Sequence, residues 1–380
     1  MIAMIFVNDL ASVHGLPWWT YHAPAHVNAM TYVDMVYPFF LFIVGLSIPL
    51  AVRARLKKNP SQLALWMHVV IRSASLIVLG LILANAEKGN PALIGFSANV
   101  WAILALLGAA LYLSVYTGSG PGRTVHTGLR ILGLILLAGM YAIFRRTTRD
   151  GHTAWIDGSY PEILGLIGYT FLAVSILYIP TRRWLWTPLA WLIMLVTFNA
   201  LCIAKSIILP HHLPLYFWPF DNGAMASITM AGIVTSVIFL GDHQWKAVSQ
   251  KMSMAVAFAI AALAAGRLLT PLGISKIRAT PTWCLYCIAA AVISFAILYW
   301  ICDVKKKTSW AFFARPAGAN TLLTYLLPDF YYFIVAAVGL TYFETHFNSG
   351  WPGIVRSVMF TAFILVIAAL LTRCKIRLQL

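Results

Sequence analysis

Stretches of about 20 mainly apolar residues, the length that carries an α-helix across the hydrocarbon of a bilayer, recur from end to end of this chain. They run at 33–52, 65–85, 98–116, 127–144, 161–179, 184–204, 224–241, 252–270, 283–302, 317–340 and 352–372, with short loops of Arg, Lys, Pro and Gly between them. Backbone amides inside a bilayer find no water, so such spans fold as helices that satisfy themselves. Composition agrees: 61% of the 380 residues are apolar and 10% are charged, against roughly 25% charged in a soluble domain. The expectation is all-α, a polytopic transmembrane helix bundle of about 11–12 helices, with residues 1–380 forming one domain. The twelfth helix is the apolar segment Met1–Leu10, half the length required. It reads as a truncated first helix rather than a cleavable leader, because no basic start or small-residue cleavage site accompanies it.

A net charge of +16 would suit a nucleic-acid binder, but the basic residues sort by loop. With Met1–Leu10 counted as a crossing, seventeen of the 27 Lys and Arg fall on one side, including Arg53, Arg55, Lys57, Lys58, Lys305, Lys306 and Lys307, and nine on the other. An excess of Lys and Arg marks cytoplasmic loops. The C-terminus is therefore expected inside and the loop Ala11–Tyr32 outside, with membrane lipids as partners and nucleic acid excluded. The cysteines Cys202, Cys284, Cys287, Cys302 and Cys374 lie in or beside spans and imply no disulfide framework. Cys284 and Cys287 have redox-motif spacing, but inside an apolar helix with no second pair nearby they read as small apolar residues.

Strongly polar side chains are costly within a bilayer, so each needs a partner or a task. They are densest near the N-terminus. Asn8 and Asp9 end the first apolar segment, His14, Trp18, Trp19, Tyr21, His22, His26 and Asn28 follow in the outer loop, and Asp34 opens the next helix. Asp34 suits the positive end of a helix dipole, and a carboxylate close to a histidine would also fix the imidazole tautomer. Taken singly, the tryptophans fit an interfacial belt and His22 a wetted loop. Elsewhere, Arg72 in mid-span calls for snorkelling or a neighbouring helix, and Glu162 after Pro161 for a helix start. His211 and His212, in a Pro-rich loop with Tyr216, Trp218 and Asp221, fit solvent better than a metal. Asp303 fits a solvated helix end. Asn320 and Asp329 would have to face the bundle interior, and Lys276 and Arg278 either meet an anion or anchor a loop.

The run Met4-Ile5-Phe6-Val7-Asn8, then His22-Ala23, Thr31-Tyr32-Val33-Asp34 and Pro38-Phe39-Phe40-Leu41-Phe42-Ile43-Val44-Gly45, resembles the opening signature of the heparan-alpha-glucosaminide N-acetyltransferases and their bacterial relatives. The resemblance continues at Ser275-Lys276, Trp283, Asp303, Gly318-Ala319-Asn320-Thr321-Leu322 and Tyr325. Some bacterial relatives bear the label of an N-acetylglucosamine-related transporter, and this chain is similar to that branch. The resemblance implies an enzyme of a bacterial inner membrane that takes an acetyl group from cytoplasmic acetyl-coenzyme A, the donor substrate, to a glucosamine amine on the far side. It places the essential histidine on His22, the neighbouring asparagine on Asn8 and the helix-opening acid on Asp34. Two departures stand out. The stretch that usually precedes the Val-Asn element is absent, and the segment from His22 to Asp34 is about two residues longer than usual and holds a second histidine, His26.

On this reading His22 is the base or acyl carrier, Asn8 faces the developing oxyanion or orients His22, and Asp34 supports the imidazolium. Trp18, Trp19, Tyr21, His26, Asn28, Lys276 and Asn320 are the candidates for the sugar. Arg53, Lys57 and Lys305 are candidates for the coenzyme's phosphates, and no metal is required. A homo-oligomer is compatible with the chain. The competing reading is an amino-sugar transporter with a midplane site at broken helices, for which Pro38, Pro49 and the Gly-rich region of the tenth to eleventh spans supply suitable breaks.

Overall fold

The computed structural model describes residues 1–116, 122–209, 221–241, 247–340 and 342–380. Among them are twelve helices of nine residues or more: α1 (Ile2–Leu10), α2 (Val33–Lys58), α3 (Gln62–Asn85), α4 (Ala98–Leu113), α5 (Gly122–Ile143), α6 (Glu162–Thr181), α7 (Thr187–Ile203), α8 (Ala224–Leu240), α9 (Val248–Leu268), α10 (Pro281–Tyr299), α11 (Thr321–Val338) and α12 (Gly350–Arg373). The chain is an all-α polytopic bundle. Eight helices are long and apolar enough to cross a membrane, and α4, α7 and α8 are shorter apolar helices. The described strands form one two-residue hairpin pair, Arg146–Thr147 with Thr153–Ala154.

The helices gather into two compact units, one of Met1–Leu16, Ser75–Leu166 and Ala311–Leu380, the other of Pro17–Ala74 and Ile167–Trp310. We call them the terminal and the central unit. In the central unit α8 is the buried axis, with fourteen of its seventeen residues inside, as expected of a helix that is apolar all round. It lies against α2 at backbone distance: a Cβ on Gly45 would stand 1.8 Å from the Thr229 carbonyl oxygen, and one on Gly232 would stand 2.0 Å from that of Phe42. Small residues are what permit such approach in a membrane, where packing rather than water exclusion drives association.

Helix α2 runs unbroken through Pro38 and Pro49, so the breaks expected at these two prolines are not there. Pro38 has no N–H to give the carbonyl four residues back, which is that of Asp34. That carbonyl instead accepts the indole N–H of fully buried Trp283, in α10, at 3.2 Å. A buried carbonyl left unpaired would be costly, so the tryptophan is what lets the helix carry its proline.

In the terminal unit the chain's end shapes two helices. The span expected at 98–116 stops at Leu113, because Ser114 turns extended and pairs with Leu378 while Val115 donates to the Arg377 carbonyl. The span expected at 317–340 is split into a short helix Arg315–Ala319 and α11. Asn320 lies between them in a non-helical conformation, φ −141° and ψ 60°. Its amide donates to the Ile376 carbonyl at 2.8 Å and the Thr372 hydroxyl at 3.2 Å, and its oxygen accepts from the Leu378 N–H.

Candidate active site

In the central unit the segment before α2 winds its polar side chains around Asp34. In Thr31-x-x-Asp34 the acid reaches back to the Thr31 N–H at 2.9 Å, as the acid of a capping box does. The Thr31 hydroxyl donates to the Tyr21 carbonyl and lies 3.3 Å from the same carboxylate oxygen. The Ala23 N–H also donates to that oxygen, at 3.3 Å. The other oxygen is 2.7 Å from His22 Nδ1. Asp34 is wholly buried, whereas the His22 side chain is 44% exposed, so the acid holds the ring from behind while the ring edge stays within reach of solvent. An ionised carboxylate only accepts, which assigns the proton to Nδ1 and leaves a lone pair on Nε2.

The turn before α10 brings a cation to that ring. Gly273 opens it at φ +84°, where Asn28 Oδ1 and an Arg278 nitrogen would each be 2.7 Å from any Cβ. Ser275 and Thr280 close it: the Ser275 N–H donates to the Thr280 hydroxyl, the Thr280 N–H to the Ser275 carbonyl, and the Arg278 N–H to the Ser275 hydroxyl. Asn199 and Asn222 each donate an amide to the Ala279 carbonyl. Arg278 donates to Asn28 Oδ1 at 2.7 Å, tying this turn to the His22 segment. So fixed, Lys276 places its ammonium 3.2 Å from His22 Nε2 and 3.3 Å from Nδ1. A base, a buried acid that orients it and a cation at its free nitrogen therefore share one corner of this unit.

The other expected site residues divide. Trp18 and Trp19 are exposed in a 3₁₀ turn, Trp19 with its ring 6.1 Å from that of Tyr32. Tyr21 is half-buried and His26 is exposed. Asn28 is committed to Arg278. Arg53 and Lys57 are exposed one turn apart near the end of α2, and the Lys305 ammonium rests 5.1 Å over the Trp300 ring. Asn8, in α1, belongs to the terminal unit and lines a cavity there. Asn320, a candidate for the sugar, is buried and gives its amide hydrogens to Thr372 and Ile376 as described above. Arg72 stacks its guanidinium 4.9 Å over Phe171, and Glu162 starts α6 with its carboxylate accepting the Ile163 N–H. Asp303 is exposed. Cys284 and Cys287 are buried in α10, the Cys284 thiol directed at the Ala224 carbonyl. His211, His212, Tyr216 and Trp218 lie outside the described residues. Asp221 is described, and burial raises its carboxyl above the usual range.

Reading the sequence missed Thr31 as a partner of Asp34 and Trp283 as the donor to its carbonyl. Both carry a local signal: the Thr-x-x-Asp spacing, and a proline four residues after a buried acid.

Comparison with known proteins adds two findings. A family model described as "Domain of unknown function (DUF5009)" matches residues 1–207, just over half of the chain. A segment of 85 residues is 36% identical to proteins called heparan-alpha-glucosaminide N-acetyltransferase from Mus musculus and from Homo sapiens. That segment is 22% of this chain and 12% of each relative, so the likeness is partial on both sides.

Proposed function

The chain belongs to the DUF5009 family, and we propose that it works there as a membrane acyltransferase, moving an acetyl group from acetyl-coenzyme A at the cytoplasmic side to the amine of a glucosamine-type sugar at the outer side of a bacterial inner membrane. The observation that carries this reading is the oriented His22: Nδ1 held by buried Asp34, Nε2 turned to a cation and half-open to solvent. The partial likeness to two N-acetyltransferases supports it.

Acyl transfer to an amine needs a base for the amine's proton and a donor for the oxyanion that forms on the thioester carbonyl. In the proposed reaction the amine nitrogen attacks that carbonyl while Nε2 takes its proton. The C–S bond then breaks, and the coenzyme A thiolate leaves and takes up the proton. Asp34 steadies the imidazolium without itself being protonated, as in the acid–histidine pairs of other acyl-transfer enzymes. Lys276, displaced from Nε2 by the incoming amine, is within reach to donate to the oxyanion. Trp18, Trp19, Tyr21 and His26 form the surface for the sugar. Arg53, Lys57 and Lys305 are assigned the coenzyme's phosphates, and the C-terminus the cytoplasmic side. The continuity of α2 through both prolines removes two of the helix breaks that would suit a transporter.

The test uses the full chain in liposomes, with labelled acetyl-coenzyme A on one side and glucosamine on the other. N-acetylated sugar from the parent and none from His22→Ala supports the reading; sugar uptake without acetylation, indifferent to His22→Ala, overturns it. Single turnovers without acceptor separate direct transfer from an acetyl-His22 intermediate, which alone would release coenzyme A under that condition.

A further inference from the structure

The terminal unit contains a cavity of about 1540 Å³, well above the roughly 300–1,000 Å³ of an ordinary small-ligand site. Its walls are largely apolar, with Phe347, Trp351 and Phe363 among them, and Asp9, Glu87, Glu162 and Asp329 also line it. The Lys and Arg side chains on the same wall are committed: Arg356 to Asp9 and the Ser12 hydroxyl, Lys88 to Asp157 at 2.8 Å. Asp329 sits in the apolar helix α11, half-buried, and makes no hydrogen bond or ion pair among the described residues, with Glu162 within electrostatic range. A carboxylate on a spanning helix with no protein partner is costly unless something else meets it.

We propose that this cavity binds an amphiphile whose head is a primary ammonium, the head meeting Asp329 and the tail lying along the apolar wall. Volume and apolar lining call for a tail, which a free sugar lacks. Charge selects the head: carboxylates repel a phosphate or a fatty acid, and aromatic faces attract an ammonium as well. The site and its ligand class stand independently of the acyltransferase reading, since binding can be measured without turnover.

Native mass spectrometry of the full chain, released from detergent at pH 8, would compare decylammonium with decanol, decanoate and glucosamine. Decylammonium is expected to bind at least tenfold more tightly than each of the other three, and Asp329→Asn to erase that advantage while leaving decanol binding unchanged. Equal binding of decanol and decylammonium, preference for decanoate or for glucosamine, or decylammonium binding indifferent to Asp329→Asn would each overturn the proposal. The ranking in the parent chain decides the matter if the variant does not fold.

Discussion

Asp9 and Asp34 are both buried acids, one near the end of the short helix α1 and one at the start of the spanning helix α2, yet they are set to different tasks. Asp9 accepts from the Tyr332 and Ser357 hydroxyls, each at 2.6 Å, and from Arg356 at 3.3 Å. Those donors are two hydroxyls and a guanidinium, and the cluster is a lock between α1, α11 and α12. Asp34 accepts from the backbone N–H groups of Ala23 and Thr31, a comparable lock, but gives its second oxygen to a half-exposed histidine. One partner that can exchange a proton with solvent separates an acid that holds a fold from one that can serve a reaction. Burial alone does not distinguish them.

The comparison breaks first at His22. His22→Ala should lower acetyl transfer by about 10²–10⁴-fold, the usual worth of a general base, with the melting temperature close to the parent's; transfer retained in full would remove His22 from the chemistry. The paired variants Asp9→Asn and Asp34→Asn sharpen it further. Asp9→Asn leaves Arg356 without its countercharge and should destabilise by about 3 kcal/mol, as breaking a buried pair does, read as a fall in melting temperature in detergent. Its pH profile of transfer should keep the parent's shape. Asp34→Asn should shift that profile, because an amide can no longer hold the proton on Nδ1. If the two variants exchange these signatures, the division of labour drawn here is wrong.

Trp283→Phe probes what supports the working acid. It keeps the aromatic volume but strands the Asp34 carbonyl, which Pro38 cannot serve, at a cost of about 1–3 kcal/mol. Thermal unfolding of Trp283→Phe against the double variant Trp283→Phe with Pro38→Ala measures this. Restoring the N–H at position 38 should recover most of the loss, and no recovery would mean that the indole acts only by packing.

Where the helices lie was legible because hydropathy is a local property: each expected span overlaps an observed helix. Where they stop was less so. Ser114 and Asn320 end their helices on hydrogen bonds to the C-terminal tail, and Asn320, a candidate for the sugar, donates its amide there. The prolines of α2 misled for the same reason, since Trp283 lies 249 residues away from the carbonyl it serves. Within the site, His22 and Asp34 stood out through their spacing and the resemblance. The approach of Lys276, 254 residues from His22, depends on how Gly273, Ser275 and Thr280 shape a turn, which no periodicity encodes.

The smallest effect concerns an acid that is neither lock nor tool. Asp157, in the loop before α6, takes a hydrogen bond from the Lys88 ammonium and others from Ser159, and these hold its carboxyl well below the usual range despite partial burial. A depressed folded-state pKa means that the stabilisation is present above the ordinary carboxylate value of about 4 and is lost as pH falls below it. Because Lys88 is 41% exposed, solvent screens the pair and its worth should stay under about 1 kcal/mol. Melting temperatures of the parent and Lys88→Met should therefore differ slightly at pH 6 and converge toward pH 3. A gap that widens on acidification would show that Lys88 stabilises the loop through its aliphatic stem and not through the carboxylate it touches.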